Sequence, residues 1–403
     1  MATDNWRRQQ RVLVTDAHAM GSIGVVRSLG RAGYDVYAAA DRPEALGLHS
    51  TYARQSLIYP SHTADTEAFK AWVHATVARE GISSIVPSES VLLALRADYD
   101  KMAPLLPLSR DPTVVYAGMS KYDLFERFRE PPHSASLPPF LLLKEDDPVP
   151  SVSSLTALGM PVFLKADAVY AKNGDDSRVL RCETPQQAQS ALGQLLGRYR
   201  RILAQGFAEG VGVGAFLLRW KGRILARFMH RRLHEVPHTG GASSYREAWW
   251  NDAICRDASE RMEALGWEGV GMFEYRWNPS TGRFHLLEFN GRFWGSLHLA
   301  LYAGVDFPTL LMDAFYGHEA SCDGFDTGVR SRWTFPRDVE YVWSRLKDRS
   351  LPVSSRLWSV LEFLLLGLDP NVRSDLAFPR DRMLYLRGMR QSLGYWARRG
   401  AGS

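Results

Sequence analysis

Apolar and polar positions change period several times along the chain, and those changes mark its elements. Residues 11–15 form a short apolar run of β type. Gly21 and Gly24 open a stretch in which Val25, Val26 and Leu29 share one helical face, and it stops at Gly33, a residue suited to a helix C-terminus. A second apolar run, 34–39, ends at Asp41. Strand, glycine turn, helix, strand and acidic residue in this order predict a βαβ start to a parallel sheet. Residues 82–86 add a buried-strand pattern, and Pro87-Ser88-Glu89 caps a helix beginning near Val91. Pro104, Pro107 and Pro112 mark the first domain boundary.

Beyond it, residues 130–161 are rich in proline and serine, with one apolar run at 140–143. Residues 162–165 read as a buried strand ending in Lys165. Thr184 starts a helix that runs to Gly197, and 202–205 is a strand. Residues 213–229 predict a hairpin about Lys221-Gly222, and 257–265 a helix. Two strands, 270–277 and 283–290, flank the turn Asn278-Pro279-Ser280-Thr281-Gly282. Pro308 starts a helix to Tyr316.

Composition narrows the class. A chain of 403 residues predicts two to three domains, and 45% hydrophobic content gives packed cores. Cys182, Cys255 and Cys322 are too scattered for a disulfide framework or a zinc site, which predicts a reducing, cytoplasmic setting. The most apolar stretch, 357–368, is too short to span a bilayer and contains Glu362. Arg7, Arg8 and Arg11 precede only three apolar residues before Asp16, which is not a signal-peptide pattern. The net charge of +5 comes without a long Lys/Arg run, so no nucleic-acid partner is expected. Only eight lysines stand against forty-one arginines, so each lysine asks for a reason.

Glu274 and Glu288 lie on the two strands of the 270–290 hairpin, and Asn290 shares the face of Glu288. Pairing Trp277 with Arg283 sets Glu274 opposite Leu286 and diagonal to Glu288, within roughly 7–8 Å. Two carboxylates and an amide oxygen on one face make a hard-oxygen site suited to Mg²⁺ with substrate phosphates. The alternative is a solvated face whose glutamates pair with nearby arginines. Arg292 follows at once and is a candidate for holding phosphate or carboxylate oxygens.

Leu286-Leu287-Glu288-Phe289-Asn290-Gly291-Arg292, with Glu274 upstream in Gly271-Met272-Phe273-Glu274-Tyr275, resembles the metal-binding motif of the ATP-grasp superfamily. Ser120-Lys121 is similar to the first nucleotide lysine of that family and Pro161-Val162-Phe163-Leu164-Lys165 to the second. Leu203 to Gly210 resembles the hinge whose backbone reads adenine, through Gln205, Phe207, Ala208 and Glu209. Two departures stand out: Gly206 and Gly212 occupy places where the family often has glutamate, the second being the ribose contact, which leaves that contact open with Glu209 as a candidate.

The resemblance implies an N-terminal Rossmann-like parallel α/β domain (1–112), a small lid subdomain (113–205), a metal-binding subdomain (206–320) and a mostly helical extension (321–403). The fold class is α/β with an α+β grasp. It implies ATP and one or two Mg²⁺ ions, with Mn²⁺ as a substitute. Glu274, Glu288 and Asn290 would hold the metal, while Lys121, Lys165, Lys172, Gln205, Phe207, Ala208, Glu209 and Leu287 would hold ATP. Lys172, in the polar turn 170–175, corresponds to the loop over the triphosphate; a plain surface hairpin is the other reading.

On the substrate side, residues 230–244 hold two arginines, three histidines and Gly240-Gly241. They read either as an anion site formed by Arg232, Glu235, Gly241 and Ser243 or as a solvated basic loop. The implied activity is ADP-forming ligation: a small-molecule carboxylate becomes an acyl phosphate, then an amide with an amine. Arg292 and Arg232 would act on the charged intermediates. Alternatives are a phosphotransferase, acyl transfer to a carrier-protein thiol and, from the leading βαβ unit, a nicotinamide-dependent oxidoreductase. Trp333, Trp343, Trp358 and Trp396, with Arg380, Arg382, Arg387, Arg390, Arg398 and Arg399, crowd the C-terminal extension. Its helices are expected to pack on the grasp domain, with an acidic carrier protein or a membrane surface as candidate contacts.

Overall fold

The computed structural model describes residues 5–174 and 176–400, with side chains described through residue 394. Asp175 and the side chains of Trp396, Arg398 and Arg399 lie outside the described residues. The chain forms two compact units, one of 1–107, 223–250 and 292–403, the other of 108–222 and 251–291. The serial division expected from the sequence differs from this: residues 223–250 and 292–403 return to the unit of the N-terminal sheet.

In the first unit, strands Arg11–Val14, Asp35–Ala40, Gln55–Ile58 and Ser84–Val86 form a parallel sheet in the order third, second, first, fourth. Helix Met20–Ala32 buries Val25, Val26 and Leu29 and ends at Gly33 with φ +94°, a left-handed conformation that costs a glycine little. Ser88 caps helix Glu89–Ala94 by accepting from the Val91 N–H. The same unit holds the antiparallel pair Arg223–Val236 and Ala242–Ala248, with the short strands Arg330–Arg332 and Val372–Ser374 beyond it.

The C-terminal helices Val339–Lys347, Val353–Leu368 and Met383–Gly400 lie in this unit, where the first two meet His234 and His238 of the 206–320 segment, as expected. A buried arginine explains the placement. Arg27, on the first helix, has no exposure and donates to Asp381 at 2.7 Å and to the carbonyls of Asp375 and Leu376 at 2.6 and 3.0 Å. A buried guanidinium without a carboxylate is costly, so the helix at one end of the chain holds the segment near the other end. Leu376 and Leu384 pack against Met20 and Ile23 around it.

The second unit has two sheets. Strands Phe140–Lys144, Arg201–Gln205, Val162–Ala166 and Arg178–Cys182 form an antiparallel sheet in that spatial order. Helix Pro185–Leu196, capped by Thr184, buries Ala188, Leu192 and Leu195 against it. Strands Val211–Trp220, Gly269–Trp277 and Phe284–Asn290 pair antiparallel, with Gly269–Trp277 in the middle. The 278–282 turn closes as its residues predict: the Asn278 side chain accepts from the N–H groups of Ser280 and Thr281. The architecture is a parallel α/β sheet, two α+β layers and a mostly helical C-terminal region. Among the described residues no helix is long and apolar enough to cross a membrane.

Candidate active site

The hairpin of the second unit carries the site. Trp277 pairs with Phe284 and Tyr275 with Leu286, but Glu274 pairs with Glu288. The observed register thus differs from the expected one twice: Trp277 meets Phe284 and not Arg283 next to the turn, and Leu287 is an extra residue in its strand. Such a bulge disturbs the ladder locally and turns a backbone group out of it. The Leu287 carbonyl accepts from Lys165 Nζ at 3.0 Å and from Gln205 Nε2 at 3.3 Å.

The shift brings the two glutamates closer than expected. Directly opposed residues have Cβ atoms about 4.5–5.5 Å apart, and like charges there repel. Asn290 Nδ2 donates to Glu288 Oε1 at 3.1 Å. Positive charge is gathered beside the pair. Lys121 Nζ stands 4.0 Å from Glu288 Oε2 and 3.1 Å from Asp167 Oδ1. Lys121 is the first residue of helix Lys121–Arg127, capped by Ser120, and its own N–H also reaches Asp167, at 2.6 Å.

Lys165 is 6% exposed. Burial pushes its pKa down, Glu288 and Glu274 pull it up, and Lys121 opposes them. An ammonium with few water contacts beside two carboxylates is poised for an anion that brings its own negative charge. Asp167, 3% exposed, was not singled out in the sequence. It lies just beyond strand Val162–Ala166, two residues past Lys165, and that spacing is the local signal.

Glycines shape the floor and the hinge. A Cβ on Gly291 would lie 2.3 Å from the Trp267 ring, and one on Gly118 2.5 Å from it. Trp267 is fully buried and donates its indole N–H to the Val270 carbonyl at 3.0 Å. At the hinge, a Cβ on Gly206 would lie 2.2 Å from the Leu158 carbonyl oxygen. No side chain fits there, which accounts for glycine where a glutamate was expected by family resemblance. Gln205 is buried beside it, Phe207 is half exposed, Ala208 is buried and Glu209 is exposed.

Other candidates stand apart from this cluster. Lys172 Nζ donates to the Leu196 carbonyl and to Glu145, both at 2.9 Å, so it is held to its own sheet-and-helix layer. Arg292 belongs to the first unit, where it meets Glu89 at 3.3 Å and the Phe293 carbonyl at 3.2 Å. Arg232 is not on a loop. It sits within strand Arg223–Val236, and its Nη1 donates to the Gly241 carbonyl at 2.9 Å and to Glu235 at 3.3 Å. Glu235 pairs in register with Ser243, whose hydroxyl donates to the Tyr245 carbonyl. Arg232, Glu235, Gly241 and Ser243 do come together, but as the fastening of their own turn and not as a solvated loop.

The histidines of that stretch are also engaged within the first unit. His234 lies between Asp338 at 2.9 Å and Glu362 at 3.5 Å and stacks on Tyr341. His238 contacts Ser344 and Asp348. His230 is buried, and burial holds its pKa well below the ordinary value.

Among the described residues no group of three His, Cys, Asp or Glu is set to hold a metal by itself. Two opposed carboxylates and an amide suit an ion that takes its remaining ligands from phosphates and water, as Mg²⁺ does. The donor set fits.

Lys165 on one sheet of the second unit, with the opposed carboxylates Glu274 and Glu288 on the other, defines the site. Residues 217–334 match the family model described as "ATP-grasp in the biosynthetic pathway with Ter operon". That match spans 118 of the 403 residues and includes Glu274, Glu288 and Asn290. No curated protein matches it by sequence. Among solved structures it is similar to an L-amino acid ligase from Bacillus licheniformis, at 15% identity over 76% of this chain and 74% of that one, with a TM-score of 0.55. It is also similar to the biotin carboxylase domain of Hydrogenobacter thermophilus 2-oxoglutarate carboxylase in complex with MgADP, at 14% identity over 80% and 73%, with a TM-score of 0.59. A third is N5-carboxyaminoimidazole synthetase from Staphylococcus aureus with ADP, at 12% identity over 80% of each chain, with a TM-score of 0.58.

Proposed function

We propose that the protein is an ADP-forming ligase that activates a small-molecule carboxylate with ATP and joins it to an amine. The observation that carries this reading is the convergence of Lys121, Lys165, Gln205 and the Leu287 carbonyl on the opposed pair Glu274 and Glu288. Adenine would lie against the hinge formed by Gln205, Phe207, Ala208 and Glu209. Lys165 and Lys121 would receive phosphate oxygens, exchanging Leu287 and Asp167 for stronger charge-assisted partners. Glu274, Glu288 and Asn290 would hold Mg²⁺, which when bound neutralises charge on the phosphates. The substrate carboxylate oxygen attacks the γ-phosphorus, ADP leaves, and the amine nitrogen then displaces phosphate from the acyl carbon. Such chemistry asks the protein for position and charge and not for a covalent intermediate.

Arg292 is the residue proposed to meet the charged acyl phosphate, since it is partly exposed and two residues past Asn290 in sequence. Arg232 is not assigned a contact with substrate, because its guanidinium already closes its own hairpin. The identities of the two substrates set the experiment. ATP, Mg²⁺ and pooled amino and carboxylic acids are incubated with the protein and read by mass spectrometry and phosphate release. Phosphate and a condensed product should appear only when a carboxylate and an amine are both present. Phosphate retained on a single product would make the protein a phosphotransferase, and product formation with a reduced nicotinamide in place of ATP would overturn the reading.

A further inference from the structure

Helix Val353–Leu368 presents one face of pure hydrocarbon to the outside. Leu357, Trp358, Leu361, Leu364, Leu365 and Leu368 are between 46% and 80% exposed. They recur at helical spacing and form a continuous stripe. The helix has two charged residues, Arg356 and Glu362, and both are used on the inner face. Glu362 reaches His234, and Arg356 donates to the Leu346 carbonyl at 3.4 Å. Ser359 is buried, and Phe363 lies beneath the Arg332 guanidinium at 4.5 Å. The helix is therefore docked by its polar groups and leaves its most apolar side outward, the reverse of an ordinary surface helix. Soluble surfaces rarely carry a contiguous apolar stripe without a partner.

Charge decides which partner fits. Residues 321–403 hold fourteen lysines and arginines against nine aspartates and glutamates, which places the chain's whole net charge of +5 there. From 339 to 394, seven basic residues are exposed, among them Lys347, Arg349, Arg373, Arg387 and Arg390, and no acidic residue is. Two copies meeting through this face would bring like charges together. A nucleic acid or an acidic protein would meet the cations but find only the Trp358 indole N–H to bond along the stripe. Apolar side chains with tryptophan, beside the exposed cations Lys347 and Arg349 at the end of the neighbouring helix Val339–Lys347, match a layer of hydrocarbon under anionic headgroups. Trp343, on the neighbouring helix Val339–Lys347, adds a half-exposed indole under Lys347 Nζ at 4.8 Å.

We propose that the protein binds the surface of an anionic lipid bilayer through helix Val353–Leu368, lying in the interface without crossing it. The inference is independent of the ligase reading, which rests on the other compact unit. The test uses the full chain and sucrose-loaded vesicles of phosphatidylcholine with or without phosphatidylglycerol. The protein should sediment with the anionic vesicles, release at high salt, and shift its tryptophan emission to the blue. Leu361→Glu with Leu365→Glu should lower the partition coefficient by about ten-fold or more, since each places a charge in hydrocarbon. Both leucines are exposed, so melting and ATP affinity should stay as in the parent protein. Absence of sedimentation with anionic vesicles overturns the proposal, as does partition that is unchanged in the double variant or equal on neutral and anionic lipid. A concentration-dependent dimer that the double variant dissolves, without lipid binding, would assign the face to a second copy.

Discussion

Two bulged antiparallel pairs in this chain treat their charges in opposite ways. In Arg223–Val236 with Ala242–Ala248, Arg232 stands opposite Arg246, yet each guanidinium has its own carboxylate. Arg232 meets Glu235, Arg246 meets Asp375, and Arg231 meets Glu247. In Gly269–Trp277 with Phe284–Asn290, Glu274 stands opposite Glu288, and the balancing cations come from Lys121 and Lys165 on other elements. In the first pair each arginine touches a carboxylate, Glu235 and Glu247 from the pair itself and Asp375 from just beyond strand Val372–Ser374. The second keeps like charges side by side, with lysines that can turn to another anion. A ligand site differs from a structural ion network in this: its groups keep alternatives, whereas the network's groups have none left.

The comparison breaks most sharply at Glu288. Glu288→Gln keeps shape and removes charge, so turnover should fall by about a hundred-fold or more while melting holds or rises as the like-charge pair is relieved. Near-normal turnover at saturating Mg²⁺ would move the metal elsewhere. Next comes Lys165→Ala. One charge-assisted contact is worth about 1.5–3 kcal/mol, so ATP affinity should fall about ten- to hundred-fold while AMP affinity changes little. Equal losses for both nucleotides, measured by calorimetry, would place Lys165 away from the phosphates.

Arg232→Ala should act in the other direction. It removes the fastening of a turn, so the free energy of unfolding should drop by on the order of 1–2 kcal/mol, with ATP affinity and the Michaelis constant for the carboxylate nearly unchanged. A raised Michaelis constant with unchanged melting would return Arg232 to the substrate site.

The smallest effect concerns His234. Burial disfavours its charged form, but hydrogen bonds to Asp338 and Glu362 outweigh this and raise its pKa above 6.5. A raised folded-state pKa means that the stabilisation is complete below that ordinary value and is lost as pH rises through the folded value. Melting should therefore decline as pH rises above about 6.5 more steeply in the parent protein than in His234→Gln. Parallel profiles would show that His234 is neutral throughout.

Much of the fold is legible in short-range signals. Thr184, Ser88 and Gly33 end their helices as their types predict, and the 278–282 turn closes where Asn278 and Gly282 place it. Helix Asp252–Ala264 begins earlier than the pattern of apolar residues suggests, because Asn251 caps it by accepting from Ile254. The site was legible as a set of residue types, since scarce lysines and paired glutamates stand out in this composition. Its register was not, because the turn holds one residue more than expected and one bulged residue, Leu287, shifts every pairing beyond it. Asp167 escaped notice because its partner Lys121 lies forty-six residues away. The joining of the C-terminal helices to the N-terminal sheet depends on Arg27 and Asp381, a contact across 354 residues that no local pattern carries.

The central claim is that Glu274 and Glu288 form a site for a metal carried with the nucleotide. The most direct measurement is a calorimetric titration of ATP into the full chain, with Mg²⁺ or with chelator, for the parent protein and for Glu274→Gln combined with Glu288→Gln. The account predicts that Mg²⁺ strengthens ATP binding in the parent protein by about ten-fold or more and gives no strengthening in the double variant. An equal gain from Mg²⁺ in both proteins would contradict it.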